Sequence, residues 1–142
     1  MTENDRRQGS CLCGAVRITV PARVHSVGAC HCHMCRKWAG GPLMAMACGT
    51  DVVLEGEQNI SLYDSSQWAE RAFCRTCGSH LFYRLKDSGE HIVAPGLFDD
   101  AQGLVFDHQV FIDEKPGYYA FAGVTRELTG AEVFALFPEG KD

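Results

Sequence analysis

The cysteines constrain this 142-residue chain more than any other feature of its sequence. Seven of the eight thiols fall into three short clusters and one stands apart: Cys11 and Cys13; Cys30, Cys32 and Cys35; Cys74 and Cys77; and, alone, Cys48. Cysteines two or three positions apart allow one tight turn to supply two ligands to a tetrahedral metal ion. The first ten residues are polar and lack the apolar stretch of an export signal. Metal binding is therefore favoured over a disulfide framework.

The first and last cysteine clusters share one local pattern. Gly14 follows Cys13 and Gly78 follows Cys77. The residue just beyond the second ligand of such a turn often needs a positive φ, which glycine adopts without steric cost. We expect the two pairs to form one closed site, and four thiolates around one zinc ion are typical of a structural site. Its predicted ligands are Cys11, Cys13, Cys74 and Cys77.

The middle cluster has no obvious fourth ligand and consists of Cys30, Cys32 and Cys35. Three protein ligands and one open position are typical of catalytic zinc. In the alternative, Cys48, His31 or His33 completes a second closed site. An iron–sulfur cluster is less favoured, because the familiar ferredoxin cysteine runs have other spacings. The sequence therefore predicts two zinc ions per chain.

The rest of the chain favours short β-strands. Apolar and aromatic stretches alternate with Gly, Asp, Asn, Ser and Pro signals, and the predicted strands are 15–20, 43–47, 51–55, 71–74, 80–85, 90–94 and 105–112. Strands without intervening helical patterns indicate a mainly β fold. The length, close to the usual size of one domain, predicts a single zinc-binding domain over residues 1–142.

Helices are expected in two places only. Thr129 and Glu132 form a capping-box pair, which predicts the start of one short C-terminal helix. Apolar residues at helical spacing and then a proline follow this pair: Val133, Leu136, Phe137 and Pro138. A turn or short helix is also expected over 34–38, directly after the middle cysteine cluster.

Charge and hydropathy exclude two classes of partner. The chain has 18 acidic and 13 basic residues, a net charge of −5, and no stripe of Lys and Arg. Binding to nucleic acid depends on clustered positive charge, so we expect no nucleic-acid partner. No apolar run approaches the roughly 20 residues that span a bilayer, so we expect no membrane insertion. The absence of an export signal predicts a cytoplasmic protein, and the oligomeric state is left open.

Three polar residues outside the cysteine clusters are candidates for a supporting role. His108 precedes an apolar stretch, where a histidine is usually structural but beside a metal can orient a ligand or carry a proton. Arg36 and Lys37 follow the third thiol of the middle cluster. They are either solvated surface charges or charges that compensate a thiolate-rich site and attract an anionic ligand.

The cysteine blocks resemble the glutathione-dependent formaldehyde-activating enzyme family. The matching blocks are 9–16 (GSCLCGAV), 30–37 (CHCHMCRK) and 73–79 (FCRTCGS), within a likeness that runs from about residue 9 to residue 121. Weaker blocks lie at 96–99 and 108–116. The resemblance implies a β-tent fold of short antiparallel strands around zinc knuckles. It also implies a structural zinc on the four outer cysteines and a catalytic zinc on Cys30, Cys32 and Cys35.

The resemblance also implies a reaction. The family's named activity joins formaldehyde and glutathione into S-hydroxymethylglutathione, which is a carbon–sulfur lyase reaction in reverse. We therefore expect a zinc-dependent lyase that acts on a small thiol such as glutathione and on its aldehyde adduct, with the thiol at the open zinc position. The alternative is a non-catalytic module in which both zinc ions are structural and the β surface binds a protein partner.

Overall fold

Two β-sheets and two short helices build the fold in the computed structural model, which describes residues 5–136. The strands are β1 (Arg6–Ser10), β2 (Arg17–Pro21), β3 (Ser26–Cys30), β4 (Leu43–Gly49), β5 (Val53–Glu55), β6 (Ile60–Asp64), β7 (Ala69–Cys74), β8 (His80–Leu85), β9 (His91–Val93), β10 (Val105–Val110) and β11 (Arg126–Leu128). The helices are α1 (His33–Ala39) and α2 (Gly130–Leu136). The predicted mainly β fold is confirmed.

The strand order differs from the sequence order in both sheets. The smaller sheet has the order β1-β2-β5 and the larger has the order β11-β10-β3-β4-β9-β8-β7-β6. Neighbouring strands are antiparallel except that β10 runs parallel to both β3 and β11. A parallel pair needs a long connection, and between β3 and β10 the chain supplies one that contains α1 and six strands. The resemblance implied antiparallel strands and did not anticipate these two parallel pairs.

Each of the seven predicted strand segments overlaps an observed strand, and four more strands carry weaker sequence patterns. β1 (RRQGS) is largely polar and β3 (SVGAC) consists mainly of small residues. Both form because neighbouring strands pair with them, so tertiary context overrides their local propensity.

Both predicted helices are present. The short helix expected after the middle cysteine cluster is α1. The capping box before α2 is also confirmed, since the Thr129 backbone N–H donates to Glu132 Oε1 at 2.8 Å and the Glu132 N–H donates to Thr129 Oγ1 at 3.2 Å. The predicted helical residue Phe137 and the terminating Pro138 lie outside the described residues. No helix within residues 5–136 is both long enough and apolar enough to cross a membrane.

The larger sheet carries apolar side chains on both faces. Its inner face packs against the smaller sheet, where Ile18 and Val20 contact a buried cluster that includes Met46, Ala72 and Phe82. Its outer face carries α1, in a second cluster formed by Cys30, Cys35 and Leu43 with the partly buried Trp38, Tyr83 and Val110. The period-2 alternation of side chains along each strand separates the two clusters. This division positions the two groups of cysteines.

Candidate metal centres

Four cysteines from distant parts of the chain meet at the inner-face end of β7. Cys11 and Cys13 follow β1, Cys74 ends β7, and Cys77 lies in the turn before β8, with all four Sγ atoms within 4.8 Å of one another. Cys13 Sγ is 3.7 Å from Cys11 Sγ and 3.8 Å from Cys74 Sγ. The edge of a tetrahedron with Zn–S bonds of about 2.3 Å is about 3.8 Å, so the donor set fits a zinc ion. The Ser79 hydroxyl, 3.2 Å from Cys77 Sγ, lowers the pKa of Cys77 to about 5 and favours the thiolate.

In both halves of this four-cysteine cluster, a glycine after the second cysteine closes a turn back to the first cysteine. The Gly14 N–H donates to the Cys11 carbonyl at 3.1 Å, and the Gly78 N–H donates to the Cys74 carbonyl at 2.7 Å. Gly14 has φ 82° and Gly78 has φ 80°, as their positions after each cysteine pair predicted. A side chain at either position would strain the backbone, because L-residues rarely adopt this region.

A second group of three cysteines lies on the outer face. Cys30 ends β3, Cys32 caps the N-terminus of α1, and Cys35 lies in its first turn, with the three Sγ atoms within 4.8 Å of one another. The Cys35 backbone N–H donates to Cys32 Sγ at 3.3 Å. Hydrogen bonds from Cys30 and Cys35 lower the pKa of Cys32 to about 2, and the hydrogen bond to Cys32 raises the pKa of Cys30. Cys32 therefore ionises readily within the trio, and the thiolate is the form of cysteine that binds metals.

None of the three candidate fourth ligands joins this trio. Cys48 points to the inner face, where burial raises the pKa of its thiol to about 12, so the sheet separates it from the trio. His31 is buried with both ring nitrogens engaged, Nδ1 at 2.7 Å from Tyr119 Oη and Nε2 at 2.8 Å from Gln109 Oε1. His33 is exposed. Over residues 5–136, no further Cys, His, Asp or Glu ligand atom belongs to the group.

A cavity of about 490 Å³ opens beside the three cysteines. Its lining is mainly apolar and aromatic, and α2 contributes part of the wall: Trp68, Tyr83, Leu85, Ile92, Val110, Phe111, Val133, Phe134 and Leu136. Asp87, Ser88, Glu90 and a single cation, Arg71, complete the lining within the described chain. The volume lies in the range of small-molecule sites, and a few polar groups in an apolar cavity are typical of such sites.

Arg71 is the functional candidate that the sequence analysis missed. It lies on β7 with its side chain on the outer face, 2% exposed, and its Nη2 is 3.6 Å from Cys35 Sγ. The guanidinium carbon lies 5.0 Å from the ring centroid of Trp38 and 5.3 Å from that of Tyr83. One signal was present in the sequence: a charged residue directly before Ala72 in a stretch whose other residues read as a buried strand.

The other polar candidates lie away from the cavity. Arg36 Nε donates to the His31 carbonyl at 2.8 Å, and Lys37 is exposed, and neither lines the cavity. His108 Nδ1 lies 2.6 Å from Asp107 Oδ1 and borders a separate cavity of about 430 Å³. The positive charge beside the trio is therefore Arg71, and not Arg36 or Lys37 as the sequence suggested.

Comparison with known proteins identifies a matching family and relatives that cover much of the chain. The family model for glutathione-dependent formaldehyde-activating enzymes matches residues 6–114. An uncharacterized lyase of Schizosaccharomyces pombe is 35% identical over 127 residues, which is 89% of this chain and 93% of the relative. A Halomonas elongata protein, named provisionally as a glutathione-dependent formaldehyde-activating enzyme, is 36% identical over 84 residues, 53% of this chain and 54% of that protein.

A solved structure is also similar. The crystal structure of a Rhodobacter sphaeroides protein superposes with a TM-score of 0.53 and 29% sequence identity, over 65% of this chain and 87% of the other. The match of the family model over more than half of the chain, together with the long alignment to the fission-yeast lyase, establishes the relationship. The chain belongs to the glutathione-dependent formaldehyde-activating enzyme family.

Proposed function

We propose that the protein is a zinc-dependent carbon–sulfur lyase that joins a small thiol to an aldehyde and cleaves the adduct, with glutathione as the thiol. The family and the lyase-named relative support thiol and lyase chemistry. One observation carries the proposal beyond them. The three-cysteine group has no fourth ligand among residues 5–136 and borders a cavity that is large enough for a small molecule.

The two groups of cysteines would hold two zinc ions with different tasks. Cys11, Cys13, Cys74 and Cys77 would hold a structural zinc, because four thiolates saturate a tetrahedral ion. Cys30, Cys32 and Cys35 would hold a second zinc. That ion would supply a coordination position at which a thiol loses its proton. A free thiol has a pKa near 8.5 and is only a few per cent ionised at neutral pH, so this ionisation raises the fraction of nucleophile.

The residues of the chain shield and orient the reactants. Phe111 and Phe134, whose ring centroids are 5.6 Å apart, bring α2 against the sheet and close one wall of the cavity. Apolar walls exclude water, which strengthens every electrostatic contact inside. Burial raises the pKa of Tyr83 well above its usual value, so its hydroxyl remains protonated beside the cavity and can donate a hydrogen bond.

Cobalt substitution tests the open position directly. Thiolate-to-cobalt charge-transfer bands report the number of sulfur ligands, and we expect titrated glutathione to add a sulfur signal at the second metal. Cys48→Ser is the matched control, and it should leave the starting spectrum unchanged because Cys48 lies on the other face of the sheet. The enzyme should also accelerate the exchange between formaldehyde, glutathione and their adduct, measured by NMR.

Two outcomes of the cobalt experiment would contradict the proposal. If glutathione leaves the spectrum unchanged while Cys48→Ser removes a sulfur ligand, the second site is closed. If both titration and variant leave the spectrum unchanged, no thiol enters the site. Either result would instead favour a module whose two zinc ions are structural.

A further inference from the structure

Arg71 is a buried cation whose hydrogen-bonding capacity is largely unused. Its Nε and Nη1 atoms are buried and have no hydrogen-bond partner, and no carboxylate of the described chain forms an ion pair with it. Buried donors without partners cost free energy, and arginine is almost never fully buried unless it is paired. Within residues 5–136, its side-chain hydrogen bond goes from Nη2 to Cys35 Sγ of the cysteine trio.

The surrounding aromatic residues hold the guanidinium at the cavity. Trp38 and Tyr83 both lie within cation–π distance, and Arg71 pairs with Tyr83 across β7 and β8. The ring of His80 stacks on Trp38 with the two ring centroids 4.2 Å apart, which helps to hold Trp38 in place. The guanidinium is therefore fixed before any ligand binds, which reduces the entropic cost of using it for recognition.

Distance decides which part of a substrate can reach the free donors. Nη2 is 3.6 Å from Cys35 Sγ, and Nε and Nη1 are bonded to the same guanidinium carbon, so the whole guanidinium lies next to Cys35. A substrate sulfur that completes this group places an oxygen on the next carbon close to the guanidinium. The carboxylates of a thiol such as glutathione are several bonds further from the sulfur and reach the outer parts of the cavity instead.

We propose that Arg71, which lines the cavity, binds the oxygen of the aldehyde and of its thiol adduct through its guanidinium N–H groups, and that it stabilises the negative charge that forms there; this rests on the proposed function. The sulfur electron pair forms the C–S bond as the C=O π pair moves onto oxygen. That oxygen then takes a proton from water, and the hydroxide left behind takes up the proton that the thiol released. Cleavage of the adduct reverses each of these movements.

Two small sulfur ligands, one with this oxygen and one without it, test the proposal. Thioacetate carries an oxygen on the carbon that bears the sulfur, and ethanethiol has the same skeleton without it. Their dissociation constants for the zinc-loaded protein are measured by calorimetry for wild type, Arg71→Lys and Arg71→Met. Each ligand is compared with itself across the variants, so its ionisation cancels. A hydrogen bond to a charged partner predicts that thioacetate loses roughly 10- to 100-fold more affinity than ethanethiol in Arg71→Met.

The lysine variant separates recognition from charge. Arg71→Lys keeps the positive charge but loses the planar set of donors, so ethanethiol binding should change by less than about threefold while thioacetate binding weakens by about tenfold. Equal losses for the two ligands in both variants would overturn the proposal and leave Arg71 as a charge partner of the cysteines. If neither ligand binds the wild-type protein, the proposed thiol site itself fails, and the two failures are distinguishable.

A measurement on the wild type covers the case in which neither variant folds, as judged by circular dichroism and zinc content. With ¹⁵N-labelled arginine, thioacetate should shift the buried Arg71 Nε–H signal and slow its exchange with solvent, whereas ethanethiol should leave both nearly unchanged. The same response to both ligands would contradict contact between Arg71 and the oxygen.

Discussion

The two groups of cysteines lie on opposite faces of one sheet and differ in what they connect. The inner-face group joins residues 66 positions apart, Cys11 and Cys77, and consists of four cysteines. The outer-face group spans six residues, from Cys30 to Cys35, and borders a cavity. The same side chain thus suits two tasks. Under the proposed function, the closed set that bridges distant segments would stabilise the fold, and the incomplete set at the cavity would be available for chemistry.

The largest expected difference between the groups is in stability. Cys77→Ser should unfold the protein, because structural zinc contributes about 10–16 kcal/mol in small zinc domains and whole folds are stable by only about 5–15 kcal/mol. Cys32→Ser should leave the fold intact and reduce only the occupancy of the second metal, since its group closes a local turn. Thermal melts and zinc content measure both effects.

Cys48→Ser is the matched control for these two variants, because Cys48 is buried but belongs to neither group. It should keep two zinc ions. Equal destabilisation by Cys77→Ser and Cys32→Ser would contradict the division between a structural and a chemical site.

Metal removal should also proceed in two stages. We expect the purified protein to contain two zinc ions and little iron. A chelator should take one zinc while the far-UV circular dichroism is unchanged, because an open position gives the chelator access to the metal. The second zinc should leave only with unfolding. Simultaneous loss of both ions with the circular dichroism signal would show that the two sites are not independent, and stoichiometric iron with visible absorbance would contradict the zinc assignment.

The smallest expected effect concerns His80, which lies between the two groups. It begins β8 after the turn that holds Cys77, and it stacks on Trp38 of α1. Burial and the nearby Arg71 charge lower the pKa of His80 below its usual 6.5. As the pH falls, His80 takes up a proton in the unfolded chain before it does so in the folded protein. The stability that neutral His80 contributes is therefore complete above pH 6.5 and is lost as the pH falls below it.

Because the ring is partly exposed, solvent screens this interaction. We therefore expect the His80 contribution to the free energy of unfolding to change by well under about 1 kcal/mol between pH 7.5 and 5.5. His80→Phe keeps the stacked ring and removes the titration, so its stability should fall less over this range. Urea unfolding at each pH measures the difference. Identical pH dependence in wild type and variant would exclude His80 as the titrating group.

Local features were predictable from the sequence, and features that depend on sheet geometry were not. The cysteine spacings and the positive φ of Gly14 and Gly78 are properties of single turns, so the sequence predicted them. Cys48 lies on the inner face of β4. Predicting that face would have required the register of the whole sheet. The contact between Arg71 and Cys35 joins residues 36 positions apart through the packing of α1 on the outer face of the sheet, which no local pattern encodes.

Strand β7 has a consequence for how such a protein can diversify. Its residues alternate between Arg71 on the outer face and Ala72 and Cys74 on the inner face. Substitutions in the cavity walls, such as Leu85 on β8 or Ile92 on β9, reshape the space around a ligand without touching the four-cysteine group. Selection can therefore explore new ligands on one side of the sheet while the opposite side preserves the ability to fold.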